Sequence, residues 1–443
     1  MITHTRARGG AIHSPQPALD ALLESITRYR DRAWDAAERR RTVLCLLDSL
    51  ACFSVGQKLK HFGPHAVAAR TLFGADGSPA ALRTAYVYGQ AANALDFDDT
   101  LIGHPGAPIV GAVLAVASRD RLTTDAVLRG IAAGYEAHWL LAAAARPTPE
   151  RAARVRSVGV WDTVAAGLAI GVALDTRDED LASIVGVAAS HSLIPYTGKW
   201  YDRPVPGVKN NLGWAAVGAV LATELVAAGQ SGITRPLEGD SGMWAMAGSD
   251  RWRPDPSVFS KPGVMRVGFK RYPACWHLQQ YLTTMSRALA QLPEGTALDA
   301  VVVRGPREVE KFCDHRITGS ADVAFSLPAC ISLLVSGVAP GPAWDAFDDG
   351  SPELMHRGRV RYEHSAVAAL EVVAEGRSLE LAVGTSDPLD PAPWGLSEEE
   401  VVGKHTRFAQ PYLPAAALLA GTPDSEFSHQ PRRGRSEENR CSS

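Results

Sequence analysis

The sequence predicts a mainly α protein, with a large all-helical domain formed by both chain ends and a smaller α+β domain inserted between them. Residues 17 to about 250 are dominated by Ala, Leu and Val at helical spacing. Strand-like, β-branched stretches cluster beyond residue 297, and residues 395–420 turn helical again. A helical body, a mixed insert and a helical return place the two ends of the chain together.

Taken in order, residues 1–16 are polar with Pro and Gly, and are expected to form a flexible arm. Val43, Leu44, Leu47, Leu50 and Ala51 form one apolar stripe, and Val127, Ile131, Tyr135 and Trp139–Leu141 form another. Helices are expected at 164–175, 180–191 and 213–228, the last stopped by Gly229. Residues 249–267 are rich in Pro, Arg and Asp and read as a linker. Strands are expected at 298–304, 359–362, 370–373 and 379–383, with one apolar helix at about 321–337 among them. The tail 421–443 has too little apolar content to fold and is also expected to be flexible. The expected division is 17–267 with 396–420 as the helical domain and 268–395 as the α+β domain.

Composition narrows the function classes. Of 443 residues, 46% are apolar and 21% charged, with 45 basic against 48 acidic residues and a net charge of −3. No basic stripe interleaved with aromatics appears, which argues against a nucleic-acid partner. No apolar run is long enough to span a bilayer, so a soluble protein with no membrane partner is expected. Arg6 and Arg8 have no apolar core behind them, which argues against a secretory signal. Cys45, Cys52, Cys275, Cys313, Cys330 and Cys441 lack CxxC spacing. That pattern fits a reducing, cytoplasmic setting and provides no zinc or cluster motif.

Residues 95–108 read Leu-Asp-Phe-Asp-Asp-Thr-Leu-Ile-Gly-His-Pro-Gly-Ala-Pro, placing three carboxylates, a hydroxyl and an imidazole between apolar segments. Polar groups set in apolar packing need partners or a task. A helix over 91–101 would put Asp96, Asp99 and Thr100 on one face, with Asp98 pointing elsewhere. Pro105 would end that helix near Gly103 and bring His104 to the same face. The competing reading is a capped helix end with a solvated acidic turn. Lys209 precedes an apolar helix, where it can meet a carboxylate or sit in a solvated loop. Residues 269–279 carry Lys270, Arg271, Tyr272 and His277, a cluster suited to an anion at a domain junction or else a hinge with incidental charges. His191 reads as a core or capping histidine. The string Leu-Asp-Phe-Asp-Asp-Thr-Leu also resembles the nucleophile loop of haloacid-dehalogenase-type phosphatases, with Asp348-Asp349 as a later acidic pair. That loop must follow a buried strand, whereas residues 84–94 are helical in character.

The ordered set of motifs resembles the MmgE/PrpD superfamily, which includes 2-methylcitrate dehydratase, cis-aconitate decarboxylase and iminodisuccinate epimerase. It comprises Ala-Leu-Asp-Phe-Asp-Asp-Thr, Gly-His-Pro at 103–105, Ala-Gly-Tyr-Glu at 133–136 and Val-Lys-Asn-Asn-Leu-Gly-Trp-Ala-Ala at 208–216. Pro-Leu-Glu-Gly at 236–239, Lys-Arg-Tyr-Pro-Ala-Cys-Trp-His at 270–277, Ala-Phe-Ser-Leu-Pro at 324–328 and a late Leu-Ser-Glu-Glu-Glu-Val complete the series. The resemblance implies that the α+β part is a lid, that the protein is a homodimer, and that it needs no metal and no cofactor. It implies catalytic roles for Asp96, Thr100, His104, Lys209, Tyr272 and His277.

Removing a proton next to a carboxylate builds negative charge on a group already anionic, so the site must supply cations. Lys209 is expected to bind a substrate carboxylate, with Asp96 or His104 as base and His277 or Tyr272 as acid. Lys270, Arg271, Arg154 and Arg156 are further candidates for substrate binding. The expected activity is a dehydratase-like lyase or an isomerase acting on a small di- or tricarboxylate. The alternative is an inactive relative that binds or scaffolds. Many relatives carry a second histidine before the helix that here starts near Trp161, but residues 151–163 contain none. Arg154, Arg156 or Asp162 takes its place, which argues against cis-aconitate decarboxylation and for an altered substrate, as in a specialised biosynthetic variant.

Overall fold

Small side chains let the helices of the first 250 residues approach closely, and that approach sets up the site. In a computed structural model of the chain, the structure describes residues 17–74, 80–207, 209–254, 261–345 and 350–409. The protein is mainly helical with a small sheet. Helices Ala36–Gly56, Gly106–Asp120, Thr124–Ala144, Asp162–Ala173 and Leu212–Ala227 surround one large apolar core. Helix Glu398–Phe408 returns to pack on Ala36–Gly56, and Lys404 Nζ donates to Asp48 Oδ1 at 2.7 Å in the buried contact. Among the described residues no single helix is long and apolar enough to cross a membrane.

Two helices cross at almost bare backbone. A Cβ on Gly213 would lie 2.4 Å from the carbonyl oxygen of Tyr86, and one on Gly89 would lie 2.9 Å from that of Leu212. Glycine at both positions therefore seats the start of helix Leu212–Ala227 beside the later turns of helix Ala80–Asn93. The segments flanking those ends, Lys209–Asn211 and Asp96–His104, are brought face to face.

A second core gathers helices Trp276–Leu289 and Leu327–Val335 against a four-stranded sheet. Strands β3 (Leu298–Gly305), β4 (Val360–His364), β5 (Ala369–Ala374) and β6 (Arg377–Ala382) lie in the order β4-β3-β5-β6. Only the β3–β4 pair is parallel. The β5–β6 hairpin turns on Glu375 and Gly376, both at positive φ, as a tight two-residue connection requires. Trp200 and Val205 come from the helical part of the sequence yet pack into this second core. A two-residue ribbon, β1 (Val155–Arg156) against β2 (Tyr196–Thr197), lies just ahead of them in the chain.

The chain leaves the helical core through residues 268–270 and returns through 395–396. Leu396 N–H donates to the Phe269 carbonyl at 2.8 Å. Gly268 pairs in both directions with Thr100, at 2.8 and 3.0 Å.

Several local expectations are corrected. The helix expected over 91–101 ends at Asn93, and Asp96 takes a left-handed conformation at φ 55°. Asp99 therefore turns away, bonded to the Tyr135 hydroxyl and to Gly106 N–H, and Asp98 instead shares the Asp96 side through His104. The helix expected at 321–337 is split into a 3-10 turn, Ser320–Phe325, and helix Leu327–Val335. Ser326 caps the second piece by accepting from Ala329 N–H at 3.3 Å, with Pro328 in its first turn. The expected linker contains a 3-10 turn at Gly263–Arg266. The arm 1–16, the tail 421–443, the end of the helical return beyond Ala409, and Asp348-Asp349 lie outside the described residues.

Candidate active site

Asp96 is the centre of the site and is buried. Its Oδ2 accepts from Lys270 Nζ at 3.2 Å, and the same ammonium donates to the Asp96 carbonyl oxygen at 2.9 Å. Its Oδ1 faces Lys209 Nζ at 3.4 Å and His104 Nε2 at 3.8 Å. Neither approach is a hydrogen bond, so Asp96 Oδ1 and Lys209 Nζ are buried polar atoms with bonding capacity unused among the described residues. Lys209 is itself left-handed, at φ 52°, and its ammonium lies 4.6 Å from the centre of the Phe325 ring. Strained backbone of this kind persists only where the surroundings fix it.

Charges in this cluster set one another's ionisation. Burial pushes the Asp96 carboxyl up, but Lys209 and Lys270, with His104, outweigh it and hold the group well below the usual carboxylate range. Asp98 behaves alike: burial raises it, and His104 and Lys270 more than reverse the effect. Burial also opposes charge on both lysines. For Lys209 it prevails and lowers the pKa, whereas Asp96 and Asp98 bring Lys270 out above its ordinary value. Lys270 is thus the firm counter-ion, and Lys209 is the ammonium that a further anion would stabilise.

His104 is held between two carboxylates, with Nδ1 3.2 Å from Asp98 Oδ2 and Nε2 facing Asp96. Behind Asp98 runs a polar chain. Asn93 donates to Asp98 at 3.1 Å, Asn210 donates to Asn93 at 3.0 Å, and Arg156 donates to Asn210. The Thr100 hydroxyl donates to the Gly103 carbonyl at 3.0 Å and shapes the loop without reaching the cluster. Buried His138 braces the same loop. Its Nε2 lies 2.7 Å from the Leu101 carbonyl and its Nδ1 2.8 Å from Asp162. Burial lowers the His138 pKa, but Asp162 more than offsets this and keeps the ring charged more readily than usual.

His277 stands in the first turn of helix Trp276–Leu289 with an accessible ring. Protein nevertheless surrounds it closely enough that desolvation, then Lys311 and Arg156, push its pKa down to about 4. The ring is therefore neutral at pH 7. Arg156 faces the same region: it donates to the Tyr201 hydroxyl at 3.2 Å and lies 4.0 Å from the centre of the Trp200 ring.

Besides Thr100, three candidates are placed elsewhere. The Tyr272 hydroxyl bonds Ser286 at 2.9 Å and its ring stacks on Trp344, inside the second core. Arg271 is paired with Glu400 at the start of helix Glu398–Phe408. Arg154 is exposed and forms no ion pair with a described residue. Sequence reasoning missed Asn93, Asn210 and Lys311, and set Asp98 aside. The Asn-Asn pair after Lys209 was a usable signal, since buried amides imply a polar network, whereas nothing local marks Lys311.

Ligand atoms of Asp96, Asp98 and His104 lie within 4.8 Å of one another, a spacing that could hold a metal ion. The two ammonium groups already at Asp96 would repel a cation there, so the donor set suits an anionic guest better. The phosphatase-like reading fails on context, because the motif follows helix Ala80–Asn93 and a turn rather than a strand.

None of the curated proteins matches the chain. The family description "MmgE/PrpD N-terminal domain" matches residues 21–254, a span that holds Asp96, His104, Lys209 and the helices that position them. The protein belongs to the MmgE/PrpD family.

Proposed function

We propose that the protein is a lyase or isomerase, with hydro-lyase the foremost reading, that removes a proton next to a carboxylate of a small di- or tricarboxylate. The observation that carries this reading is the buried Lys209–Asp96–Lys270 array with His104 beside it. Membership of the family is consistent with a dehydratase-like or lyase-like function.

The chemistry follows from the charges. A substrate carboxylate takes the unused hydrogen-bonding capacity of Lys209, where a second negative charge developing during proton removal stays neutralised away from water. His104 takes the proton. Asp98 at Nδ1 fixes the ring and leaves Nε2 for the substrate, a base oriented by a carboxylate. Asp96 is a weak base while two lysines hold it ionised, and it serves to anchor both. His277 is neutral beside Lys311 and Arg156 and gains a proton once an anion lies beside it. It can then protonate a departing hydroxyl, so that the C–H proton goes to His104 and the hydroxyl leaves as water.

The test is NMR of EDTA-treated protein in D₂O with citrate-like, aconitate-like and amino-dicarboxylate substrates. Deuterium next to a carboxylate, lost in His104→Gln and in Asp96→Asn, is the expected outcome. Binding without exchange or turnover would overturn it in favour of a non-catalytic binding protein, a reading favoured by the absence of histidine from residues 151–163.

A further inference from the structure

Beyond the Lys209–Lys270 array, two more cations stand near His277 with no ion pair to a described residue. Arg156 and Lys311 come from distant parts of the chain and approach the same ring. The Arg156 guanidinium carbon lies 5.6 Å from the centre of Tyr201, and Lys311 Nζ lies 4.1 Å from it. Lys311 Nζ is also 5.1 Å from the centre of Phe312, whose ring stacks on His277 at 5.6 Å. Tyr201 in turn meets Phe325, the ring under Lys209. Three cations are thus spread along one aromatic wall that runs from Lys209 to His277.

Among the described residues neither Arg156 nor Lys311 has a carboxylate within ion-pair distance, and Glu308 acts on Lys311 only from farther away. Arg156 spends one donor on Tyr201 and one on Asn210, both uncharged. Like charges gathered without counter-ions raise the energy of the empty protein, and an anion placed among them lowers it. The ribbon at Val155–Arg156 and the Trp200 ring hold Arg156 in place before a guest arrives, and Lys311 lies against the Tyr201 and Phe312 rings.

We infer that Arg156 and Lys311 form a distal anion subsite beside His277, which takes a second carboxylate of a substrate whose reacting end lies at Lys209. This rests on the proposed carboxylate chemistry and adds which groups hold the second acid, at the far end of the molecule from the carbon that loses its proton. Arg156 gives the planar, two-pronged contact and Lys311 the point charge. A monocarboxylate that lacks the far acid group would occupy Lys209 and leave the far cations unpaired.

Calorimetry on the full chain tests this with glutarate and butyrate as unreactive probes. Wild type is expected to bind glutarate at least tenfold more tightly than butyrate. Lys311→Gln should remove most of that advantage and leave butyrate affinity within twofold, and Lys311→Arg should keep it. Lys311 is exposed, so its variants test the subsite without disturbing the Trp200 packing that Arg156 supports. Equal binding of the two probes by wild type, or unaltered glutarate affinity in Lys311→Gln, overturns the subsite alone. Failure of wild type to bind either acid overturns the carboxylate reading as well.

Discussion

Lys270 reaches back from the segment joining the two cores and grips Asp96 twice, through the carboxylate at 3.2 Å and through the main-chain carbonyl at 2.9 Å. Both residues are fully buried. The pair therefore fixes the backbone of the loop as well as its charge.

Removal of that counter-ion leaves a buried carboxylate facing only Lys209 and His104. We expect Lys270→Met to destabilise the protein by about 3–5 kcal/mol, the usual cost of breaking a buried pair. Guanidinium denaturation at pH 7 measures it. A midpoint equal to that of wild type would remove the pair from any account of stability.

Asp99 gives a pH signature. Burial and Asp48 raise its pKa to about 8, against about 3.9 in an unfolded chain. The folded protein thus keeps a proton that the unfolded chain has released, and this contribution is full below about pH 4 and is lost as pH rises towards 8. Asp99→Asn should flatten that decline in denaturation midpoints between pH 5 and 8. An unchanged slope would show that the carboxyl ionises normally.

His277 should titrate near pH 4 in the empty protein, and its midpoint should rise when a dicarboxylate binds. Histidine-selective NMR reads both values. His277→Gln should lower turnover by roughly 10²–10⁴-fold if the ring delivers a proton. An ordinary midpoint near 6.5 without ligand would show that burial and the Lys311 and Arg156 charges do not act on the ring.

At Gly268 a Cβ would lie 2.7 Å from Trp276 Cη2 and 3.0 Å from the Pro391 carbonyl oxygen. Relief requires the crossing segment to move, so Gly268→Ala should cost about 1–3 kcal/mol. Deuterium exchange into substrate should fall with it, because Thr100 and Lys270 move too. A thermal melt and the exchange assay together check this, and full exchange activity at wild-type stability would contradict it.

Helices whose apolar spacing is regular were legible in the sequence: 164–175, 180–191 and 213–228 match Asp162–Ala173, Asp178–Ala189 and Leu212–Ala227 to within two residues. Periodicity works there because each helix buries a continuous apolar face. The loop after Asn93 was misread because its shape is set by distant partners, namely Gly268, Lys270 and Tyr135, which no local rule contains. The charged types at the site were visible as a cluster. Their division of labour was not, since which carboxylate meets which cation depends on the left-handed turn at Asp96.

The two chain crossings run side by side, joined by Leu396 to Phe269, and Gly268 is stitched to Thr100. The residue next to these stitches, Lys270, is also, after Lys209, one of the charges that keep Asp96 ionised. Mechanical coupling and proton affinity therefore share one short stretch of backbone. A rotation of one core against the other that displaced Lys270 by ~1 Å, a shift large enough to cost an active site about two orders of magnitude in rate, would retune the acid at the centre of the site. Any motion of one core against the other that shifts Lys270 therefore also shifts the charge balance at Asp96.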